Sequence, residues 1–103
     1  MNKVVFLGAG GGRLDIPSDK PSLETLQKAV GGYIERVPDW DKFEGESCIA
    51  YCNEEGLLHN LPRNLNATQL WREHLGTKGP FHLDRATIVG DVIILVGDRR
   101  FLR

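Results

Sequence analysis

The sequence predicts an α+β domain, a mainly antiparallel sheet with two helices packed on one of its faces. Three observations carry that expectation. Short runs rich in Val, Ile and aromatic residues recur along the chain, two segments with complete helix punctuation separate them, and Gly and Pro clusters fall between. At 103 residues the chain has room for a single domain, residues 1–103, large enough to bury a core without disulfide or metal staples.

Taken in order, KVVFL at residues 3–7 is a strand by composition, and RLDI at 13–16 alternates as its hairpin partner across the glycines of residues 8–12. Pro17 and Pro21 bracket a polar stretch that continues neither as strand nor as helix. Ser22 then stands as N-cap of LETLQKAV, with Glu24 at the positive end of the helix dipole. Leu23, Leu26, Ala29 and Val30 share one face of that helix, and Gly31 is its left-handed stop. YIERV at 33–37 alternates as a half-buried strand, Tyr33, Glu35 and Val37 opposite Ile34 and Arg36.

PDWDKFEGE at 38–46 carries four carboxylates and no period, which reads as a solvated loop. SCIAYCN follows as a strand. NEEG at 53–56 is a tight turn into LLHNL, its hairpin partner, with Gly56 supplying a positive φ. NATQLWREHLG has Asn66 as N-cap, Gln69 at the reciprocal capping position, a stripe of Ala67, Leu70, Trp71, His74 and Leu75, and Gly76 as stop. The Gly and Pro loop GTKGPF leads to ATIVGDVIILVG, a buried strand interrupted at Gly90-Asp91, and DRRFLR closes the chain as a small positive tail.

Charge and composition narrow the function classes. Thirteen Lys plus Arg against fourteen Asp plus Glu give a net charge of -1, so no global field collects nucleic acid or anionic lipid. No apolar run reaches the roughly 20 residues of a membrane helix, and a soluble, cytoplasmic protein is expected. Cys48 and Cys52, four residues apart on a strand, stand about 13 Å from each other. That is too far for a disulfide, and no second ligand pair completes a metal site, so the expectation is two packing thiols with no metal and no cofactor.

VVFLGAGGGR at 4–13 invites comparison with a phosphate loop. Gly8 and Gly10 fit a dinucleotide fingerprint, but Arg13 stands where its last glycine belongs, and the prolines that follow deny the helix it needs. A Lys-Ser or Lys-Thr pair for a Walker loop is missing too. The glycines read as a hairpin loop, with a glycine flap that touches an anion through its amides and Arg13 as the lesser reading. Asp39, Asp41, Glu44 and Glu46 lack calcium-loop spacing. LPRNLNATQ concentrates Arg63, Asn64, Asn66 and Thr68 before a helix N-terminus, a place for an anion. His59, His74 and His82 are scattered, no nucleophile elbow occurs, and no catalytic residue is assigned.

LETLQKAVGGYIERV, YCNEEGLLHNLPRNLNATQLW and IVGDVIILVG together resemble the family called domain of unknown function 3846, over most of the chain from Leu23 to Gly97 with the acidic loop as a divergent insert. The marks are Leu26, Gln27 and Val30 to Glu35; Asn53 to Gly56, Leu61, Pro62, Asn64, Ala67 and Thr68; and Val89 to Asp91. The resemblance implies a small product of a phage, plasmid or other mobile element with an accessory or host-facing role, and it brings no catalytic residues. The resulting expectation is a non-enzymatic protein of the host cytosol that binds or sequesters a small anionic or nucleotide-like ligand, or blocks a host defence protein. Asn53, Glu54, Arg63, Asn64, Asn66 and Thr68 are its expected polar contacts and Tyr33 its stacking ring, in a pocket that a homo-oligomer helps to build. Two alternatives stay open: a small hydrolase of a nucleotide-like substrate with Glu35 or Glu54 as general base, and a pure protein–protein inhibitor.

Overall fold

The computed structural model describes residues 2–76 and 87–102. Most of the GTKGPF loop, His82, Ala86 and Arg103 lie outside the described residues. The chain runs β1 (Lys3–Leu7), β2 (Arg13–Pro17), α1 (Leu23–Val30), β3 (Ile34–Arg36), β4 (Lys42–Phe43), β5 (Glu46–Asn53), α2 (Leu65–Gly76), β6 (Val92–Val96) and α3 (Arg99–Leu102). The sheet order is β2-β1-β6-β5-β3, with β4 also on β5, and every pairing is antiparallel. This is an α+β fold.

The hairpin of β1 and β2 closes where Gly8 N–H donates to Gly12 O at 2.8 Å, and Gly11 takes φ +101°. The glycine run is thus a turn. Ser22 Oγ accepts from Thr25 N–H at 3.1 Å and Gly31 ends α1 at φ +79°, so both ends of that helix follow their punctuation.

The two long helices lie on opposite faces of the sheet, not on one. Leu26 and Val30 of α1 and Phe101 of α3 pack with Ile93 and Leu95, whereas Ala67, Leu70 and Trp71 of α2 join Val5, Ala50, Val92, Ile94 and Val96. The cause is β6: it is apolar at all five positions and buried at all five, so neither face of the sheet can be left to water. Each such side chain contributes about 1.5–3 kcal/mol of burial.

Four local expectations change. LLHNL is not a strand; residues 54–60 are successive turns, and Leu57 and Leu58 are exposed. The reason is that β5 has no free edge, since β6 takes one side and β3 and β4 share the other. Gly56 does not take a positive φ: a Cβ there would sit 2.7 Å from Val89 Cγ2, so its role is close approach. The acidic segment is more than a solvated loop, because its carboxylates are exposed while Trp40 and Phe43 are buried and β4 pairs with β5 around Glu44-Gly45, both at positive φ. The cap of α2 is Asn64 rather than Asn66, its Oδ1 accepting from Ala67 N–H at 3.1 Å, and Gln69 reaches Glu73 at 3.3 Å instead of capping.

The last apolar segment is also divided. Gly90 at φ +79° separates β6 from Ile88 and Val89, and Val89 bridges to Arg63. The basic tail forms α3, capped by Asp98 through Phe101 N–H at 3.0 Å, with Phe101 buried. Among the described residues no helix is long and apolar enough to cross a membrane.

Candidate functional site

The seven residues singled out from sequence gather at one end of the sheet, where β1 and β5 finish and β3 and β6 begin. Asn53 ends β5 and Tyr33 precedes β3, with Glu54 N–H donating to Tyr33 O at 2.8 Å. Arg63 bridges Val89, Asn64 bonds Leu7 O, Thr68 bonds Ile88, and Asn66 donates to Gly11 O at 3.1 Å. Residues far apart in the chain are thereby brought to one end of the sheet.

Their side chains serve different ends. Asn64 is fully buried; its Nδ2 donates to Leu7 O and Gly90 O, both at 2.9 Å, while its Oδ1 caps α2. Thr68 Oγ1 accepts from Ile88 N–H at 2.9 Å and faces Ile88 O at 3.3 Å. Asn53 donates to Val30 O at 3.1 Å and accepts from Glu55 N–H at 2.8 Å. These three amide and hydroxyl groups are occupied by backbone. Tyr33, Glu54, Arg63 and Asn66 remain exposed.

Beside them opens a cleft of about 170 Å³. Its walls are Val37 and Cys52 from the sheet, Trp71 from α2, and Ile88 and Val89 from the segment before β6; Glu35, Arg36 and Glu54 are the charged residues among those lining it. Trp71 is oriented by its indole N–H, which donates to Pro38 O at 2.9 Å. Glu35 stands opposite Cys52 across the β3–β5 pair, so carboxylate and thiol share the cleft. Sequence reading placed Trp71 on the helix stripe but had no signal that its far edge would face β3.

The thiols are quenched nucleophiles. Burial, aided by the Glu35 charge, pushes Cys52 up to about 11, and burial with Asp41 pushes Cys48 up to about 12. Both are free thiols and stay protonated at neutral pH. Among the described residues no group of three His, Cys, Asp or Glu is placed to hold a metal ion.

The glycine hairpin is strapped to the same end of the sheet. Ala9 N–H donates to Asp91 Oδ1 at 2.9 Å, complementing the Asn66 bond to Gly11. Arg13 is engaged elsewhere: its guanidinium contacts Asp15 and Glu44, each at 2.8 Å, and lies 5.2 Å from the Phe43 ring centroid.

A family model described as Domain of unknown function (DUF3846) matches residues 3–101. The chain belongs to the DUF3846 family. The match takes in β1 through β6 and reaches Phe101, so the DUF3846 unit comprises both helical layers as well as the sheet between them. Comparisons with curated proteins and with solved structures gave no match. In this DUF3846 domain the cleft beside Trp71 joins apolar walls to the charged residues Glu35, Arg36 and Glu54.

Proposed function

We propose that this domain is a small binding module, without catalysis of its own, that holds a flat nucleotide-like ligand against Trp71. The observation behind the reading is the cleft itself, with apolar walls and an indole fixed by Pro38 O. The carboxylates of Glu35 and Glu54 suit ring N–H donors, and Arg36 suits an acceptor or anionic substituent. Tyr33, exposed just before β3, lines a neighbouring cleft with Gly32, Asn53 and His59 rather than the one beside Trp71, so its ring is not a wall of this site. Asn53, Asn64 and Thr68 act in this reading as the frame that sets the cleft, and the protein works by sequestration, as suits an accessory protein of a phage or mobile element in its host cytosol.

The test is titration of the purified protein with a panel of nucleosides and nucleotides, followed by amide NMR shifts, alongside native mass spectrometry for retained ligand and oligomeric state. A ligand that shifts Cys52, Trp71 and Val89 is expected, with affinity about tenfold lower in Glu54→Gln. A panel that leaves those amides unmoved sinks the proposal. One observation favours a hydrolase instead, the Glu35 carboxylate on the cleft; turnover of the bound compound that disappears in Glu35→Gln would establish it.

A further inference from the structure

A second cleft, on the side of the sheet where α3 packs, has a different chemistry. It measures about 450 Å³ and collects three cations from three elements: Arg36 at the end of β3, Lys42 at the start of β4 and Arg99 at the start of α3. The topology makes the gap. Strands β3 and β4 both lie along one edge of β5, β3 opposite residues 51–53 and β4 opposite 46–47. The chain between them bonds to β5 through Val37 N–H to Ala50 O, Cys48 N–H to Asp41 O and the Cys48 thiol to Trp40 O, without a continuous ladder. Ile49 and Leu102 provide apolar surface in the gap, and Ser47 presents its hydroxyl 3.4 Å from Lys42 Nζ.

The charges in this cleft do not cancel. Two carboxylates share it, and both have other partners: Asp98 Oδ1 caps α3, and Asp41 Oδ1 lies 3.0 Å from His74 Nε2. Among the described residues no ion pair engages Arg36, Lys42 or Arg99, whereas Lys3 and Arg13 at the other edge of the sheet are paired with Asp15 and Glu44. A chain with net charge -1 has carboxylates enough to neutralise every cation, yet in this cleft three cations stand with two carboxylates, and neither carboxylate forms an ion pair with them among the described residues. Like charges held in one concavity repel each other and focus a positive field into it, and an anion relieves both.

We infer that the cleft between Arg36, Lys42 and Arg99 is an anion site that takes a compact phosphate-bearing ligand. Lys42 and Arg99 approach phosphoryl oxygens from two sides, with Arg36 and the Ser47 hydroxyl as further donors. The two clefts share Arg36 alone, and the test separates them because an inorganic phosphate has no ring to place against Trp71 and the Lys42 and Arg99 variants touch only this cleft.

Calorimetric titration with inorganic pyrophosphate at low ionic strength tests it. Saturable one-to-one binding is expected, weakened about tenfold in Lys42→Gln and again in Arg99→Gln, and progressively lost as salt is raised. Arg13→Gln, which lies outside this cleft, leaves the affinity as in the parent chain. Thermal melts of each variant separate lost binding from lost folding. Absence of saturable binding to the parent chain overturns the assignment, as does equal loss in Arg13→Gln, which would mean general charge attraction. If Lys42→Gln or Arg99→Gln does not fold, chemical-shift changes on Ser47, Gly97 and Arg99 amides of the parent chain decide the matter.

Discussion

Asn64 shows how one side chain can carry three connections. Its amide ties the end of β1 and the turn at Gly90 to the first turn of α2, and it does so with no exposed surface. Replacing it with Ala strands two carbonyls and a helix N–H in the interior. The expected cost is about 3 kcal/mol, seen as a shift of the urea midpoint without a change of slope. From sequence the residue was legible as polar and near a helix start, but cap and ligand contact call on the same chemical type. Asn66, two positions later, has the same residue type and an exposed side chain, and only the position of Leu7 O and Gly90 O distinguishes them. Gly56 teaches the same lesson in reverse, since a turn glycine suggests positive φ whereas the proximity of Val89 is what demands it.

At the scale of elements, β2 and the β4 hairpin are joined by side chains rather than by a ladder. Arg13 of β2 reaches Asp15 on its own strand and Glu44 in the β4 turn, and Lys3 adds a contact to Asp15 at 3.3 Å. Hydrogen bonding from Arg13 holds the Asp15 carboxyl down at about 2 and lowers Glu44 as well. Carboxylates with depressed values stabilise the fold above their unfolded range and lose that contribution on protonation. Melting temperature should therefore fall between about pH 4 and pH 2. Arg13→Gln should flatten part of that fall; because Glu44 is half exposed, its neutral-pH cost should stay below about 1 kcal/mol. Neither the pairing nor the β4 hairpin could be read from PDWDKFEGE, where Trp40 and Phe43 were hidden among charges that do face water.

Over the whole molecule, the sheet is the middle of three layers, and its two cysteines point into the α2 side. Cys48 belongs to the core cluster and Cys52 packs against it. Because burial raises both thiols above the ordinary value of 9, the folded state holds protons that the unfolded chain releases. Stability should decline as pH rises from about 9 toward 11, and more shallowly in Cys48→Ala once its own cavity cost is allowed for. The same burial predicts slow labelling by a thiol reagent at pH 8 in native protein and fast labelling in denaturant; equal rates would show that the α2 layer does not cover β5.

Period and punctuation determined much of this protein by themselves: β1 and β2 with a glycine turn, α1 between Ser22 and Gly31, β5, and the body of α2 all follow from local chemistry. Those signals act within a few residues, where backbone geometry and capping are decided. Tertiary structure alone decided the rest. VIILV announced burial on both faces, but which helix covered which face depended on the crossing of the chain from β5 through α2 to β6. LLHNL lost its strand because β5 had already given both edges to other partners. Two polar residues of one helix start, Asn64 and Thr68, became framework because two distant carbonyls and an amide needed them, and the cations at 36, 42 and 99 became neighbours only when β3, β4 and α3 met at one edge of β5. Competition for a strand edge, a buried carbonyl or a counter-charge is settled between segments far apart in sequence, and no local pattern encodes its outcome.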